Sequence, residues 1–431
     1  MSQKKYRKKT KRSRRNASTN GSGRIVSAQD GVIQLAFPIP QVLAATHGAI
    51  ESLCGEAGLL VMKALIDDEV SQRAGDRYAH DEDCDIVRWG QEEGYVVFGG
   101  KKVPIRRPRI RQKAGGEVEL SRYRMFQSED RMEDAVSKRV VRGVSTRNYE
   151  GVIDDICDGY GVRKSSVSRH LKASTAKELA ALMERPLGGS DFVAIMIDGI
   201  SFHDYLLVAA LGVDSEGKKH ILGLWDGATE NSVVVKELLE DLVERGLNPE
   251  RRYLFVIDGA KALKKAIVSV FGQRAEIQRC QIHKERNVLA HLPDRRQAAT
   301  RRALRAAWGM KTEKDALKAL KKLASNLEAI SPGAAASLKE GMEETITLQR
   351  LGVPDELWKT LRSTNLIEGT FARTRELCRN VKRWSNANMA LRWASAMLLY
   401  AEGKFRRVRG HRKMQELLDK LKGIDKKKSV A

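Results

Sequence analysis

Two short apolar runs of the chain each lead directly into an acidic residue that is followed by glycine. Residues 192–197 precede Asp198, and residues 253–257 precede Asp258. Continuous apolar runs of this length predict strands that are buried on both faces. A single Asp-Gly pair after a strand is commonly only a turn. Two buried strands that both end on a carboxylate make the two acids candidate functional residues.

The pattern between and beyond these runs predicts a regular order of elements. Strands are expected at 192–198, 205–213, 220–225, 253–257 and 276–279, with a helix at 232–245 and another from about residue 260. This β-β-β-α-β-α-β order predicts an α/β mixed sheet, and it resembles the ribonuclease H-like nucleotidyltransferase fold. In that fold the first and fourth strands are neighbours, so Asp198 and Asp258 would lie side by side.

Adjacent buried carboxylates pose an electrostatic problem, because two such groups repel each other and should not both ionise. A divalent cation removes the conflict, and carboxylate oxygens are the hard ligands that Mg²⁺ prefers. The glycine after each acid is expected to leave room for a phosphate and a metal near the backbone. The pattern therefore predicts a magnesium site at Asp198 and Asp258.

A third acid is predicted on the helical segment 363–384, which has the sequence STNLIEGTFARTRELCRNVKRW. Glu368 lies beside the apolar stripe of this segment at its start, whereas Glu376 falls on a different face, so Glu368 is the chosen candidate. The same side of the segment continues with basic residues expected to contact DNA, which are Arg375, Arg379 and Lys382.

Composition indicates a polyanionic partner. The chain has 431 residues, with 78 Lys and Arg against 55 Asp and Glu, which gives a net charge of +23 and a pI near 9.8. Such an excess favours nucleic acid, and a ribosome-associated or merely basic protein is the alternative. No apolar stretch is long enough for a membrane helix. Five scattered cysteines predict a reducing cytoplasm without a disulfide framework.

The N-terminal third predicts three features. Residues 1–23 are a Lys/Arg-rich arm that is expected to be disordered, and residues 41–79 show helical periodicity. Residues 94–112 predict a hairpin that turns at two glycines, with a basic second strand. Pro104 and Pro108 place that strand at an edge or outside a sheet. The hairpin is interpreted either as a DNA contact or as a small solvated β-unit.

Residues 148–175 predict two short helices joined by a glycine-containing turn. Val167 and Leu171 would be buried on the second helix. Its other face is polar and basic, with Lys164, Ser165, Ser166, Ser168, Arg169 and Lys172. This arrangement fits a helix-turn-helix that contacts DNA, with an ordinary helical hairpin as the alternative.

The motifs together resemble the Mutator-type DDE transposases of bacterial insertion sequences. The resemblance covers about residues 190–404 and rests on the Ser-Thr-Asn-x-x-Glu run, the two strand-end acids and RCQIHKERNV, which contains Cys280 and His283. A C-x-x-H pair supplies only half of a four-ligand zinc site. We therefore interpret Cys280 and His283 as structural or active-site-supporting residues, with His283 near the scissile phosphate.

The resemblance also implies a domain organisation with an all-helical insertion between Asp258 and Glu368. The predicted segments are a basic arm at 1–23, a helical and small β region at 24–130, a helix-turn-helix domain at 131–187, the first part of an RNase H-like core at 188–290, the insertion domain at 291–361, the final core helices at 362–405 and a basic tail at 406–431. The family's DNA-contacting tryptophan would be Trp308, with Trp358 as its rival, and a core role is the alternative for either.

For function, the resemblance implies a transposase in which Asp198, Asp258 and Glu368 hold two Mg²⁺ ions about 4 Å apart, with Mn²⁺ as a substitute. It implies binding of double-stranded DNA at terminal inverted repeats and at a target, cleavage and strand transfer, action as a homodimer or larger assembly, and a cytoplasmic, nucleoid-associated location. The alternatives are a nuclease or resolvase without strand transfer, and a non-catalytic DNA-binding protein derived from a transposase.

Overall fold

The structure, a computed structural model, describes residues 24–29, 32–36, 47–77, 84–147, 149–152, 159–160, 163–202, 204–379 and 381–429, with side chains from residue 54 onward except 151 and 425–429. The predicted basic arm and most of the first helix of the predicted helix-turn-helix lie outside these ranges. Described residues fall into two compact units, one within Met1–Val136 and Thr146–Val167 and the other within Ser137–Ser145 and Ser168–Ala431. This division does not test the seven predicted segments, which stay predictions.

The first unit contains two small antiparallel sheets and the helices beside them. Its elements are strands β1 (Arg24–Gln29) and β2 (Val32–Ala36), helix α1 (His47–Ala74), strands β3 (Ile86–Phe98), β4 (Lys101–Gln112) and β5 (Glu117–Val118), and helix α2 (Ser121–Gln127). β1 pairs with β2, while β4 lies between β3 and β5. The apolar side chains of β3, β4, α1 and α2 form one core, which includes Ile66, Val96 and Phe126.

The predicted hairpin is confirmed. β3 and β4 are joined at Gly99 and Gly100, which have φ angles of 61° and 83°. A two-residue turn with both φ angles positive matches the twist of antiparallel strands and favours glycine. β5 pairs with β4 only at Ile110 and Arg111, so the two predicted edge prolines lie on a stretch of β4 beyond β5.

Two helices, α3 (Glu129–Val141) and α4 (Lys164–Met183), cross the division between the units, and the second unit is built around a five-stranded mixed sheet. The bounds that follow are β6 (Phe192–Phe202), β7 (Tyr205–Asp214), β8 (Lys219–Asp226), α5 (Ser232–Glu244), β9 (Tyr253–Ile257), α6 (Lys261–Phe271) and β10 (Ala275–Arg279). The strand order is β10-β9-β6-β7-β8, with β6, β9 and β10 parallel and β7 antiparallel to its neighbours. The predicted order of elements is confirmed.

One predicted boundary is wrong. The strand β6 does not end at Asp198 but continues to Phe202, because β7 goes on pairing with it as far as Phe202 opposite Tyr205. Only the pairing with β9 stops earlier, at Met196 opposite Val256. Asp198 therefore lies within a strand that has lost its neighbour on one side.

The core of this sheet contains the strand residues and helices α5 and α6. Helix α5 begins after Asn231, whose side chain accepts a hydrogen bond from the Val233 N–H and so caps the helix. Its buried stripe is Val235, Leu238, Leu239 and Leu242, as predicted. These apolar contacts stabilise the sheet and so fix the positions of the strands that carry the two aspartates.

A helical segment separates β10 from the helix that carries Glu368. Its members are α7 (Gln281–Ala290), α8 (Asp294–Trp308), α9 (Glu313–Glu328), α10 (Pro332–Lys339), α11 (Thr347–Arg350) and α12 (Asp355–Leu361). Helices α7 to α10 share a core that includes Leu304, Leu320 and Leu338. Trp308 belongs to that core, is 5% exposed and donates through Nε1 to Thr345 Oγ1 at 3.0 Å.

The burial of Trp308 agrees with the alternative of a core tryptophan, since this side chain would have to leave its cluster to contact DNA. Its rival Trp358 is half-buried, and its Nε1 donates to the Val353 carbonyl at 2.8 Å. A DNA contact by either tryptophan stays a prediction.

The last helices are α13 (Asn365–Leu377), α14 (Ala387–Glu402) and α15 (Met414–Ser429). The predicted helix over 363–384 is too long, because α13 ends at Leu377, so Arg379 and Lys382 follow the helix rather than continue it. The predicted basic tail contains α15, in which Met414 and Leu417 are buried. Among the described residues, no helix is both long and apolar enough to cross a membrane.

Lys284, on α7, is fully buried, and its side chain contacts the C-terminal end of helix α10. Its Nζ donates to the carbonyls of Ser337 and Glu340 at the C-terminal end of α10, both at 2.6 Å, and the Glu340 carboxylate lies 3.7 Å away. The last carbonyls of a helix have no partner within the helix. Burial, with a contribution from Arg279, lowers the pKa of Lys284 to about 8. Lys284 therefore caps α10 from the neighbouring helix α7.

Replacing Lys284 should destabilise the helical segment. Lys284→Met keeps much of the side-chain volume but removes the side-chain donor to the Ser337 carbonyl and one of the two side-chain donors to the Glu340 carbonyl, where Arg279 remains. We therefore expect the free energy of unfolding to fall by about 1–3 kcal/mol. Chemical denaturation monitored by circular dichroism measures this change. Lys318→Met on α9 is the control, because Lys318 is exposed and its replacement should change stability by less than about 0.5 kcal/mol. Equal effects of the two substitutions would contradict the capping role.

Candidate active site

The two strand-end acids lie at the same level of the sheet. β6 and β9 are parallel neighbours, and their last paired residues are Met196 and Val256. Asp198 and Asp258 each lie two residues beyond that pair. Parallel pairing with this register brings both carboxylates to the same edge, as the element order predicted.

Local hydrogen bonds orient each carboxylate. Asp198 Oδ1 accepts from the Gly199 N–H at 2.8 Å, and Asp258 Oδ1 accepts from the Ala260 N–H at 2.9 Å, where helix α6 is about to begin. Both acids are half-buried. A carboxylate held by the backbone at one oxygen keeps the other oxygen available for a ligand.

The glycines after the acids have different roles from the one predicted. Gly259 has φ of 103°, and a Cβ built there would lie 2.2 Å from Arg279 Nε. The guanidinium of Arg279 therefore occupies the space that was expected to remain for a ligand. Gly199 lies within β6, and a Cβ there would meet Thr229 Cγ2 at an ordinary 3.4 Å. Of these two positions, only 259 requires a glycine, because its φ is positive and the Arg279 side chain lies close to its backbone.

Glu368 lies in the first turn of α13, close enough to the two aspartates for its charge to act on Asp198. Its Oε1 accepts a hydrogen bond from Thr364 Oγ1 at 2.6 Å. Glu376 instead is exposed and pairs with Arg373 at 2.6 Å. Of the two acids on this helix, Glu368 is the one whose charge acts on Asp198.

The three carboxylates affect one another electrostatically. Burial raises the pKa of Asp198 to about 6, and the charges of Asp258 and Glu368 add to the rise. The Gly199 N–H and His283 act in the opposite direction. A carboxyl group whose pKa lies about two units above its ordinary value is held in a place that disfavours its own charge. Perturbed groups of this kind are concentrated at functional sites.

Cys280 and Gln281 connect the chain segments that carry the acids. The Cys280 N–H donates to the carbonyl of Ile257, the residue before Asp258, at 2.7 Å. The next N–H, that of Gln281, donates to the Arg362 carbonyl at 2.9 Å, two residues before Thr364. This turn therefore fixes the end of β9 against the start of the segment that leads to Glu368.

The side chains of Cys280 and His283 extend the same contact. Cys280 is fully buried, and its Sγ lies 3.5 Å from both the His283 N–H nitrogen and Thr364 Oγ1. Thr364 Oγ1 is also 3.4 Å from His283 Nδ1. Burial opposes ionisation of the Cys280 thiol, but hydrogen bonds with His283 and Thr364 outweigh it and lower its pKa. The hydrogen bond with Cys280, together with the nearby acids, raises the pKa of His283.

Two sets of possible metal ligands share Glu368. Asp198, Asp258 and Glu368 offer only carboxylate oxygens, the donors that Mg²⁺ prefers, and the charges of Asp258 and Glu368 act on Asp198. The ligand atoms of Cys280, His283 and Glu368 all lie within 4.8 Å of one another, which is a donor set of the type that zinc accepts. Thr364 already contacts all three members of the second set, which supports a structural reading of the Cys-x-x-His pair.

The predicted DNA-contact residues are placed as follows. The helix α4 is 20 residues long rather than short, and it buries Val167 and Leu171 as predicted. Its predicted polar face is exposed at Lys164, Ser165, Ser168, Arg169 and Lys172 and half-buried at Ser166. The basic side chains of Arg375, Arg379 and Lys382 are all exposed.

Sequence reasoning missed Thr364 and Arg279. Thr364 precedes Glu368 by four residues, which is the spacing at which side chains meet on a helix, so its contact with the acid was accessible from the sequence. The position of Arg279 against Gly259 depends on the parallel pairing of β10 with β9, which no local pattern reveals.

Comparison with known proteins decides the family. A sequence model described as "Transposase, Mutator family" matches residues 40–407. The chain belongs to the Mutator family of transposases. Its matched region includes the three acids and the Cys-x-x-His pair.

Individual members of this family show moderate identity. The chain is 28% identical over 284 residues to the transposase for insertion sequence element IS6120 of Mycolicibacterium smegmatis, covering 64% of this chain and 86% of the relative. It is 32% identical over 219 residues to the transposase for insertion sequence element IST2 of Acidithiobacillus ferrooxidans, covering 51% and 73%. A transposase for IS256 in transposon Tn4001 of Staphylococcus aureus is 26% identical over 310 residues, covering 68% and 75%.

Burial, together with the nearby charges of Asp258 and Glu368, should make the ionised Asp198 of this Mutator-family protein destabilising in the absence of metal. Its folded pKa of about 6 lies above the ordinary 3.8, so the folded state binds the proton more tightly and loses stability as the pH rises through this range. In the presence of a chelator at pH 8, the free energy of unfolding of Asp198→Asn should therefore be about 1–2 kcal/mol higher than that of the parent protein.

At pH 5 this gain should shrink, because Asp198 is then mostly protonated in the folded state. Denaturant unfolding at the two pH values in EDTA measures it. Glu376→Gln is the control, since that acid is exposed and paired with Arg373. If Asp198→Asn were no more stable than the parent at pH 8, burial and the neighbouring charges would not disfavour the ionised form of Asp198 in the folded protein.

Proposed function

We propose that this Mutator-family protein is a DDE transposase that cleaves the ends of its insertion sequence and joins them to target DNA. The observation that supports the proposal is the convergence of Asp198, Asp258 and Glu368, which lie on two parallel strands and a later helix. Burial raises the pKa of Asp198, and the charges of the two other acids add to the rise. The strand order of the mixed sheet supports an RNase H-like core. The separate core of the helices between β10 and α13 supports an insertion domain.

The donor chemistry fits Mg²⁺, with Mn²⁺ as a substitute. The three acids offer only oxygens, and a divalent cation would offset both the burial of Asp198 and the negative charges of Asp258 and Glu368 that act on it. Bound there, Mg²⁺ supplies Lewis-acid stabilisation of the phosphate and acidifies the attacking water or 3′-hydroxyl. The Cys280–His283 pair then remains a supporting element.

The protein's own groups would position this chemistry. Backbone N–H groups hold one oxygen of each aspartate, and Thr364 holds one oxygen of Glu368. His283, whose Nδ1 lies 3.4 Å from Thr364 Oγ1, would contact the scissile phosphate. The exposed Arg375 on α13 would hold the DNA backbone by charge-assisted hydrogen bonds.

Recognition of the element's terminal inverted repeats is assigned to the exposed face of α4. Arg169 and the exposed serines of this face have the hydrogen-bonding groups for base edges, while Lys164 and Lys172 suit phosphates. The relatives are named as transposases of insertion sequences, which supports such ends as the partner of this chain. Action as a homodimer or larger assembly is part of the proposal.

The decisive experiment is a joining assay. Labelled duplexes that end in a precleaved terminal repeat with a free 3′-OH are incubated with the protein and target DNA in Mg²⁺ without ATP. We expect joined products with Mg²⁺ or Mn²⁺ and little product with Ca²⁺, whose looser coordination holds in-line geometry poorly. If the ends are bound and cleaved but never joined, the protein is a nuclease and the transposase proposal is wrong.

The three acids can be tested in the same assay. Asp198→Asn, Asp258→Asn and Glu368→Gln should each lower cleavage and joining by about 10³-fold or more, because each removes a proposed metal ligand. DNA binding should stay within about threefold of the parent, since Lys and Arg contacts with phosphates carry affinity. Glu376→Gln on the same helix is the matched control and should retain joining. A folded triad variant with near-normal cleavage would remove its residue from the site.

Thr364 should act by positioning Glu368. Thr364→Val removes the hydroxyl but keeps the shape, and we expect a 10- to 100-fold loss of cleavage together with a higher half-saturating Mg²⁺ concentration. Thr364→Ser keeps the hydroxyl and should retain most activity. Metal titrations of both variants at saturating DNA measure the effect. If the serine variant were as impaired as the valine variant, the hydroxyl would not be the group that matters.

A further inference from the structure

The sheet of β3, β4 and β5 has a basic surface with an exposed tryptophan that the proposed chemistry does not use. Between residues 86 and 118 the chain has eight Lys and Arg residues and only three Glu residues, an excess of five positive charges. One face of this sheet packs on the core with Val96, Val103 and Ile110. The charged groups are therefore held on a rigid base.

A β-bulge presents Trp89 to solvent. The pairing of β3 with β4 shifts between Arg88 and Gln91, so Trp89 and Gly90 together lie opposite the single residue Arg109. Gly90 has φ of 82°, and a Cβ built there would meet no atom within 4 Å, so the glycine is required by the backbone conformation and not by packing. Bulges redirect side chains out of the regular alternation. Trp89 is consequently 53% exposed.

The surroundings of Trp89 are arranged for a flat anionic ligand. The guanidinium of Arg111 lies 5.0 Å from the centre of the indole ring. A depression of about 270 Å³ beside it is lined by Trp89, Arg109, Ile110, Arg111 and Glu117. An aromatic ring and a guanidinium next to an open depression form a stacking surface with a positive charge at its side.

Three arginines of β4 differ in their partners. Arg107 and Arg109 form ion pairs with Glu92 and Glu117. Arg111 is different, because within the described part of the chain its guanidinium contacts the indole and has no carboxylate partner. The paired arginines stiffen the sheet, and Arg111 keeps a free positive charge for a ligand.

We propose that this surface binds DNA through an unpaired base that stacks on Trp89, with Arg111 on the adjoining phosphate. Charge complementarity selects a polyanion, and base stacking on an exposed aromatic is the contact that a duplex with all its bases paired cannot make. The proposal rests on the proposed function, since strand cleavage at element ends creates unpaired nucleotides. It adds a contact to unpaired DNA outside the candidate active site.

The test is DNA binding by the full-length protein, measured by fluorescence anisotropy without divalent metal. Two labelled probes are compared, a blunt duplex of an element end and the same duplex with a single-stranded overhang. Trp89→Ala should weaken overhang binding about 5- to 100-fold while changing blunt-duplex affinity less than twofold. Trp89→Phe should retain most of the preference, because a stacking ring remains.

Two further variants sharpen the result. Arg111→Gln should reduce the salt dependence of overhang binding by about 0.7 in log-log slope, the value for one phosphate on a single strand. Met125→Ala replaces another exposed apolar side chain of the same unit and should change neither affinity. Both Trp89 variants should unfold like the parent, since the side chain is exposed.

Equal weakening on both probes, or no weakening on either, would overturn the proposal. Unchanged DNA affinity with a lower oligomeric mass in light scattering would also overturn it and assign the surface to a second copy of the chain. The titrations are also repeated with Asp198→Asn, which lacks a proposed metal ligand. Stacking requires no catalysis, so this variant should keep the overhang preference, and the test of the stacking surface is then independent of the test of the proposed function. A protein that failed to join DNA but kept the overhang preference would contradict the transposase proposal and support this one.

Discussion

Two consecutive backbone hydrogen bonds, made by Cys280 and Gln281, hold together the parts of the chain on which the site depends. Asp258 and Glu368 are separated by a long helical segment, and three like charges near one another favour moving apart. The bond from Cys280 fixes the end of β9, and the bond from Gln281 fixes the chain before Thr364. The buried side chain of Cys280 then contacts Thr364, so the same turn supports the third acid through a hydroxyl group.

Electrostatic cost and structural rigidity are linked in this arrangement. Strands β6 and β9 have fully buried apolar residues directly before their acids, and α5 and α6 cover them. Burial of this apolar area is what allows the fold to tolerate a carboxyl group with a pKa near 6. The folded protein keeps an unfavourable charge distribution because a large apolar core stabilises the strands that carry it.

Much of the sheet could be predicted from local pattern, because its strands are continuous apolar runs between turn residues. The limits of β9 were predicted without error, and the stripe of α5 was predicted in full. The continuation of β6 past Asp198 could not be predicted, because it depends on pairing with β7 and not on hydrophobicity. Likewise, the burial of Trp308 depends on Thr345 and the partner helices, and sequence periodicity left its role open. The acids were found because charge after a buried strand is locally unusual, whereas Thr364 and Arg279 act through contacts that form only in the fold.

The contact of Arg279 with Gly259 has a mechanical consequence. Arg279 is buried against the turn that carries Asp258, and its guanidinium also donates to the carbonyl and carboxylate of Glu340, at 2.9 and 3.2 Å, beyond the end of α10. A single stiff side chain thus spans from the helical segment to the backbone beside an acid. Because a Cβ built at Gly259 would lie only 2.2 Å from Arg279 Nε, a displacement of α10 that carried the Arg279 guanidinium toward Gly259 would press on the backbone beside Asp258. Arg279 therefore couples the position of the helices between Asp258 and Glu368 to the position of the Asp258 backbone.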